Sequence, residues 1–147
     1  MNIAFAGDRL DRADHLRVDE TKLAEFCGGD AILLDLDGLV PQLDADDALA
    51  WKPIADAPKE AELVFLGLLD GRGAFAPIPK LGDGGPAPFQ SETWSAIARM
   101  GAEDISIYGT ARSLVDWHAR HQFCAQCGAP TTIAKGGRRS IPSWNRF

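Results

Sequence analysis

Two apolar runs joined by a two-residue turn set the terms for this chain. Glu62-Leu63-Val64-Phe65-Leu66-Gly67-Leu68-Leu69 leads into Asp70-Gly71, and Ala74-Phe75-Ala76-Pro77-Ile78 follows. An Asp-Gly pair between apolar, β-forming segments is a strong hairpin signal, because tight two-residue turns need positive φ and these residues tolerate it. The hairpin's apolar face predicts the middle of the core.

The flanking segments supply what such a hairpin packs against. Asp8 to Arg17 mixes charge and leucine without a clean period and reads as an ordered loop or turn. From Asp19 or Thr21, either a good N-cap, Leu23, Phe26 and Cys27 recur at helical spacing until Gly28-Gly29 ends the element. Ala31 to Leu36 is an apolar strand closed by Asp37-Gly38, with Leu39-Val40 resuming before Pro41, and Leu49 and Trp51 before Pro53 suit a strand edge. Gly82, Gly84, Gly85, Pro86 and Pro88 mark a loop without a P-loop lysine or serine. Ser91 to Met100 reads as a short helix. Glu103 to Arg120 reads as a longer one, with Ile107, Ala111, Leu114, Val115 and His118 on the apolar face and Asp104, Ser106, Arg112 and Asp116 towards the other. Strand hairpins followed by helices predict an α+β fold, with helices on one face of a mainly antiparallel sheet.

At 147 residues the chain has room for one domain with a real core, and 46% apolar with 24% charged residues is ordinary globular composition. The net charge of −6 and pI near 4.9 disfavour nonspecific attraction to nucleic acid or an anionic membrane. The first residues lack the pattern of a secretory signal, and no apolar run approaches the length of a membrane span. The expectation is therefore a cytoplasmic chain with no membrane partner and no direct nucleic-acid binding. The acidic cluster Asp44, Asp46 and Asp47 lacks the glycine and glutamate of a calcium loop and reads as a solvated turn. Cys27, between Phe26 and Gly28-Gly29, reads as a small side chain buried at a helix end.

Chemistry concentrates near the C-terminus. Cys124 and Cys127 are spaced C-x-x-C and followed by Gly128, so that a tight turn can aim two thiolates at one tetrahedral metal. This is half of a zinc knuckle, and no second C-x-x-C follows before Phe147. His118 and His121 would complete a Cys2His2 sphere on count, but three residues between His121 and the pair leave little chain to fold them onto one ion. The remaining alternatives are a weak ion shared by two copies of the chain and two free thiols.

Trp117-His118, His121, Phe123-Cys124, Cys127-Gly128-Ala129-Pro130-Thr131 and Gly136-Gly137 together resemble the junction before the zinc ribbon in bacterial NADH pyrophosphatases of the Nudix superfamily. Phe5-Ala6-Gly7-Asp8-Arg9-Leu10-Asp11-Arg12 is similar to the family's F-x-G-N-x-L-D-R opening, with Asp8 where asparagine is common, and Val64 to Phe75 resembles its central hairpin. The resemblance implies a degenerate Nudix-like N-terminal domain over residues 1–120, then a partial zinc ribbon over 121–147. It also implies homodimers, NADH or NAD as family substrate, zinc in the ribbon and magnesium or manganese in the catalytic domain of the full-length family. The family's second pair of zinc cysteines sits where this chain has Ile141-Pro142-Ser143-Trp144, so Cys124 and Cys127 are the only metal candidates and the zinc site is weak or incomplete. Nothing in the 147 residues approaches the G-x5-E-x7-R-E-U-x-E-E-x-G-U carboxylate box, so no catalytic or cofactor-binding residue is assigned. The expected product is a truncated relative, inactive alone, or a non-catalytic interaction module.

Overall fold

The computed structural model describes residues 9–80, 90–137 and 139–142. The glycine- and proline-rich stretch at 81–89, the Phe5–Asp8 part of the opening motif and Ser143–Phe147 lie outside those residues. Its elements, in chain order, are β1 (Leu10–Asp11), a 3-10 turn (Asp14–Leu16), α1 (Glu20–Phe26), β2 (Ile32–Leu34), β3 (Leu36–Asp37), β4 (Val40–Pro41) and β5 (Trp51–Pro53). After a second 3-10 turn (Ile54–Asp56) come β6 (Leu63–Leu69), β7 (Arg72–Pro77), α2 (Ser91–Arg99), α3 (Ala102–Arg120), β8 (Thr131–Ala134) and β9 (Arg139–Pro142). The fold is α+β, as expected.

The predicted hairpin is the centre of the sheet. β6 and β7 pair antiparallel around Asp70 and Gly71, both with positive φ (51° and 78°), which is the backbone that the Asp-Gly pair was selected to adopt. The strand order is β1-β6-β7-β2-β5; β2 runs parallel to β7 and every other pairing is antiparallel. β3 and β4 form the small turn anticipated around Asp37-Gly38.

Alternation along the strands sends side chains into two separate clusters. Ile32, Leu34, Val64, Leu66, Ala74 and Ala76 point to one face, where Met100, Ile107, Tyr108, Ala111 and Val115 cover them. Leu33, Phe65 and Phe75 point to the other, against Ala13, Leu16, Leu23 and Phe26. The expectation of helices on one face is thereby corrected: α3 covers one face, while α1 and the first 3-10 turn cover the opposite one. The physical reason is that the central strands are apolar at odd and even positions alike, so neither face can be left in water. Burying a side chain of Phe65 or Leu66 size contributes roughly 1.5–3 kcal/mol.

Two details fasten these layers. Asp19 caps α1 by accepting the Lys22 N–H at 3.1 Å, one of the two caps anticipated. Periodicity sets Asp104 and Ser106 towards the face opposite the apolar stripe, yet both are buried. The start of α3 tucks against the 39–49 loop, where the Asp104 carboxylate accepts the Leu49 N–H at 3.2 Å and the Tyr108 hydroxyl donates to the Leu39 carbonyl at 2.7 Å. Helical period alone reports the apolar stripe and not a polar loop that lies beside it.

Candidate metal centre

α3 ends as His121 donates its backbone N–H to the Trp117 carbonyl. The next residues form a narrow antiparallel turn. Phe123 bridges Pro130, Thr131 N–H donates to the Gln122 carbonyl at 2.8 Å, and the Thr131 hydroxyl donates to the His121 carbonyl at 2.8 Å. At its tip, Cys124 N–H donates to the Ala129 carbonyl and Gly128 N–H to the Cys124 carbonyl, both at 2.8 Å. Gly128 has φ +68° with nothing within 4 Å of where a Cβ would sit, so glycine is favoured there by the backbone alone.

This turn brings Cys124 and Cys127, neither of them in a disulfide, to one end of the ribbon, the first half-buried and the second exposed. Thiolate pairs on such a turn suit zinc, and the residues present supply two of the four donors a closed tetrahedral site needs. Bound there, zinc would crosslink the turn through those two sulfurs. Among the described residues, no three His, Cys, Asp or Glu side chains gather as a metal-holding group.

The histidines next to the pair are engaged elsewhere. His118 is buried and its Nε2 lies 2.5 Å from the Gly137 carbonyl, so that nitrogen carries the proton and donates. His121 is exposed, stacks on Trp117 with centroids 4.9 Å apart, and directs Nδ1 to the Trp117 carbonyl at 2.7 Å. His118 does occupy the apolar face of α3 that periodicity assigned to it. Its partner is a backbone carbonyl of the ribbon.

β8 and β9 form the ribbon's hairpin, in the register Thr131↔Pro142, Thr132↔Ile141, Ile133↔Ser140 and Ala134↔Arg139. The strand β9 therefore runs back towards the cysteine turn. Ile141, one of the two positions where the resemblance places a missing cysteine, lies opposite Thr132; Trp144 is outside the described residues.

One further residue had no signal in the sequence beyond being an arginine in an irregular segment. Arg17 is buried, 3% exposed, with its guanidinium inside the molecule. It donates to the carbonyls of Arg12 (3.1 Å), Phe65 (2.6 Å), Leu66 (2.7 Å) and Gly136 (3.1 Å), and lies over the Phe65 ring at 4.9 Å.

Residues 119–139, from the end of α3 through both cysteines to the start of β9, match the NADH pyrophosphatase zinc ribbon domain. Over those residues the chain is similar to the zinc ribbon of the NADH pyrophosphatases. Among its relatives are the human mitochondrial NAD(P)H pyrophosphatase NUDT13, 40% identical over 55 residues, which are 37% of this chain and 16% of that protein. The human NAD-capped RNA hydrolase NUDT12 is 26% identical over 109 residues, 74% of this chain and 20% of that protein. The chloroplastic Nudix hydrolase 19 of Arabidopsis thaliana is 43% identical over 37 residues, 25% of this chain and 8% of that protein. The chain thus spans a fifth or less of the length of these curated relatives. No helix of the described residues is long and apolar enough to cross a membrane.

Proposed function

We propose that this region is the N-terminal and zinc-ribbon part of an NADH pyrophosphatase-like Nudix protein, supporting dimerisation and placing a catalytic domain that these 147 residues do not include. The observation that carries the reading is the ribbon match at residues 119–139, which falls on a cysteine turn built as a metal knuckle. NAD or NADH is the substrate of the assembled cytoplasmic enzyme, with magnesium or manganese held by its catalytic domain. Zinc belongs to Cys124 and Cys127, weakly within one chain, and is shared between two chains where a dimer brings two pairs together. The chain alone hydrolyses no NADH, since no carboxylate cluster among its residues matches the box that holds the activating metal.

A second reading, a non-catalytic interaction module, has one observation in its favour. Trp117, Phe123 and Trp94 are exposed at 39%, 62% and 57%, and the first two flank the ribbon entry beside stacked His121. Both readings require self-association or a partner. Light scattering with zinc analysis on the same sample separates them: a mass near twice 15.8 kDa with about one zinc per two chains supports the first reading, and a metal-free monomer at tens of micromolar removes it.

A further inference from the structure

The turn joining β8 to β9, Lys135–Gly137, sits at the opposite end of the ribbon hairpin from the cysteines and is anchored to the N-terminal domain. Two donors from separate elements hold its consecutive carbonyls: Arg17 Nη1 reaches Gly136 O at 3.1 Å, and His118 Nε2 reaches Gly137 O. Each donor is itself fixed. Arg17 is held by three carbonyls of the N-terminal domain, two of them on β6, and His118 lies on the buried face of α3.

Shape reinforces this pairing. Gly136 and Gly137 both have positive φ, +57° and +95°. A Cβ on Gly137 would lie 2.3 Å from Val64 Cγ1, and one on Gly136 would press on Phe65 and Leu23 at 3.2 and 3.4 Å. Only a bare backbone can approach β6 this closely, and only positive-φ residues present both carbonyls to the two donors.

We propose that this is a metal-independent latch: Arg17 and His118, as positioning residues, dock the ribbon through Gly136-Gly137, so that the Cys124–Cys127 turn is held out as a preorganised two-thiolate half-site before any metal arrives. The inference goes beyond the proposed role in dimerisation, because it concerns a single chain and no bound ion. It assigns the two ends of one hairpin different tasks. The glycine end carries the docking, and the cysteine end carries the half-site for a metal whose other donors come from outside the ribbon.

Hydrogen exchange of the full chain, read by mass spectrometry with and without EDTA, tests it. In the metal-free wild-type protein, amides of Thr131–Ala134 are expected to stay protected within about tenfold of the zinc-treated protein. His118→Phe, which keeps the ring and removes the donor, is expected to raise their exchange about tenfold or more, as expected for loss of a buried hydrogen bond worth roughly one pKa unit of free energy. His118→Gln, which restores an N–H donor, should recover part of the protection. Gly128→Ala strains the cysteine turn, to which the Thr131 N–H is bonded, and should leave the Thr132–Ala134 amides unchanged. Metal-free wild-type protein that loses protection there overturns the latch without recourse to any variant. So does a His118→Phe protein whose ribbon exchanges at the wild-type rate, or a Gly128→Ala protein whose hairpin opens as fast as that of His118→Phe.

Discussion

Replacing Arg17 with methionine should be among the most damaging single changes outside the apolar core. The guanidinium is 3% exposed and makes four hydrogen bonds to carbonyls, at 2.6–3.1 Å. Its Nε also lies 3.5 Å from the Asp14 carboxylate, which is 68% exposed and so contributes little Coulomb energy. Hydrogen bonds to a charged group are worth roughly 1.5–3 kcal/mol each, so four taken alone would suggest a loss of about 6–12 kcal/mol. Against that, methionine packs in the same space, and the unfolded state no longer gains by rehydrating a buried charge, a term of several kcal/mol. The orphaned carbonyls cost about 1–3 kcal/mol each where water cannot reach them. The net expectation is a loss of about 3–5 kcal/mol, a large part of the 5–15 kcal/mol available to a typical domain, with the melting temperature falling by roughly 6–20 °C. Arg17→Lys should recover less than half, since one ammonium cannot reach carbonyls on three segments. Urea titration with an unchanged slope is the assay. A loss below about 1 kcal/mol for Arg17→Met would show that the carbonyls find other donors and that the arginine is not a staple.

Four further outcomes can be measured. Gly67→Ala should destabilise by about 3 kcal/mol or more in thermal melts, because Gly67 has φ +152° at the irregularity between Phe65 and Gly67 and a Cβ there would lie 2.2 Å from the Asp11 carbonyl. Iodoacetamide at neutral pH should label exposed Cys127 well before Cys27, whose thiol is pushed up by burial; peptide mapping reads the order. A folded pKa above the unfolded one means that this contribution is full at neutral pH and fades as pH rises through the raised thiol range, so Cys27→Ser should flatten any alkaline loss of stability. Ile141→Cys combined with Trp144→Cys should raise zinc from about one ion per two chains towards one per chain by elemental analysis; unmodified protein already holding one tight zinc per chain would show that another group closes the site.

How far the sequence foretold the structure depends on which physical signal each feature leaves. The β6–β7 hairpin was legible because its turn chemistry is local: Asp70 and Gly71 do what that dipeptide does anywhere. The α1 cap at Asp19, the stop of α2 before Gly101 and the apolar face of α3 were legible for the same reason. The second covered face of the sheet was written in the strands too. Phe65 and Phe75 alternate with Val64 and Ala76, and a strand apolar on both sides needs cover on both sides. What hid it was the weak period of the residues that supply the cover, Ala13, Leu16 and Leu23, which sit in a 3-10 turn and a helix of only seven residues.

The ribbon divides in the same way. Its cysteine turn was visible because C-x-x-C-G carries its own geometry, whereas its docking was not, since Arg17 and Gly136 are 119 residues apart and share no pattern. A buried arginine that satisfies carbonyls looks, in one sequence, like a surface arginine. Gly136-Gly137 looks like an ordinary loop end, although a Cβ on Gly137 would lie 2.3 Å from Val64 Cγ1, which is what demands glycine there. The same distance bears on the two-part division of the chain at residue 120. With Arg17, Val64 and His118 all meeting the ribbon turn, the β8–β9 hairpin is fastened at Gly136-Gly137 to the core of the preceding 120 residues, so the ribbon should melt with that core and not before it. A single cooperative transition followed by both near-ultraviolet circular dichroism and the exchange of Thr131–Ala134 is the expected result, and an earlier, separate loss of the ribbon amides would mark residue 120 as a boundary between independently melting units.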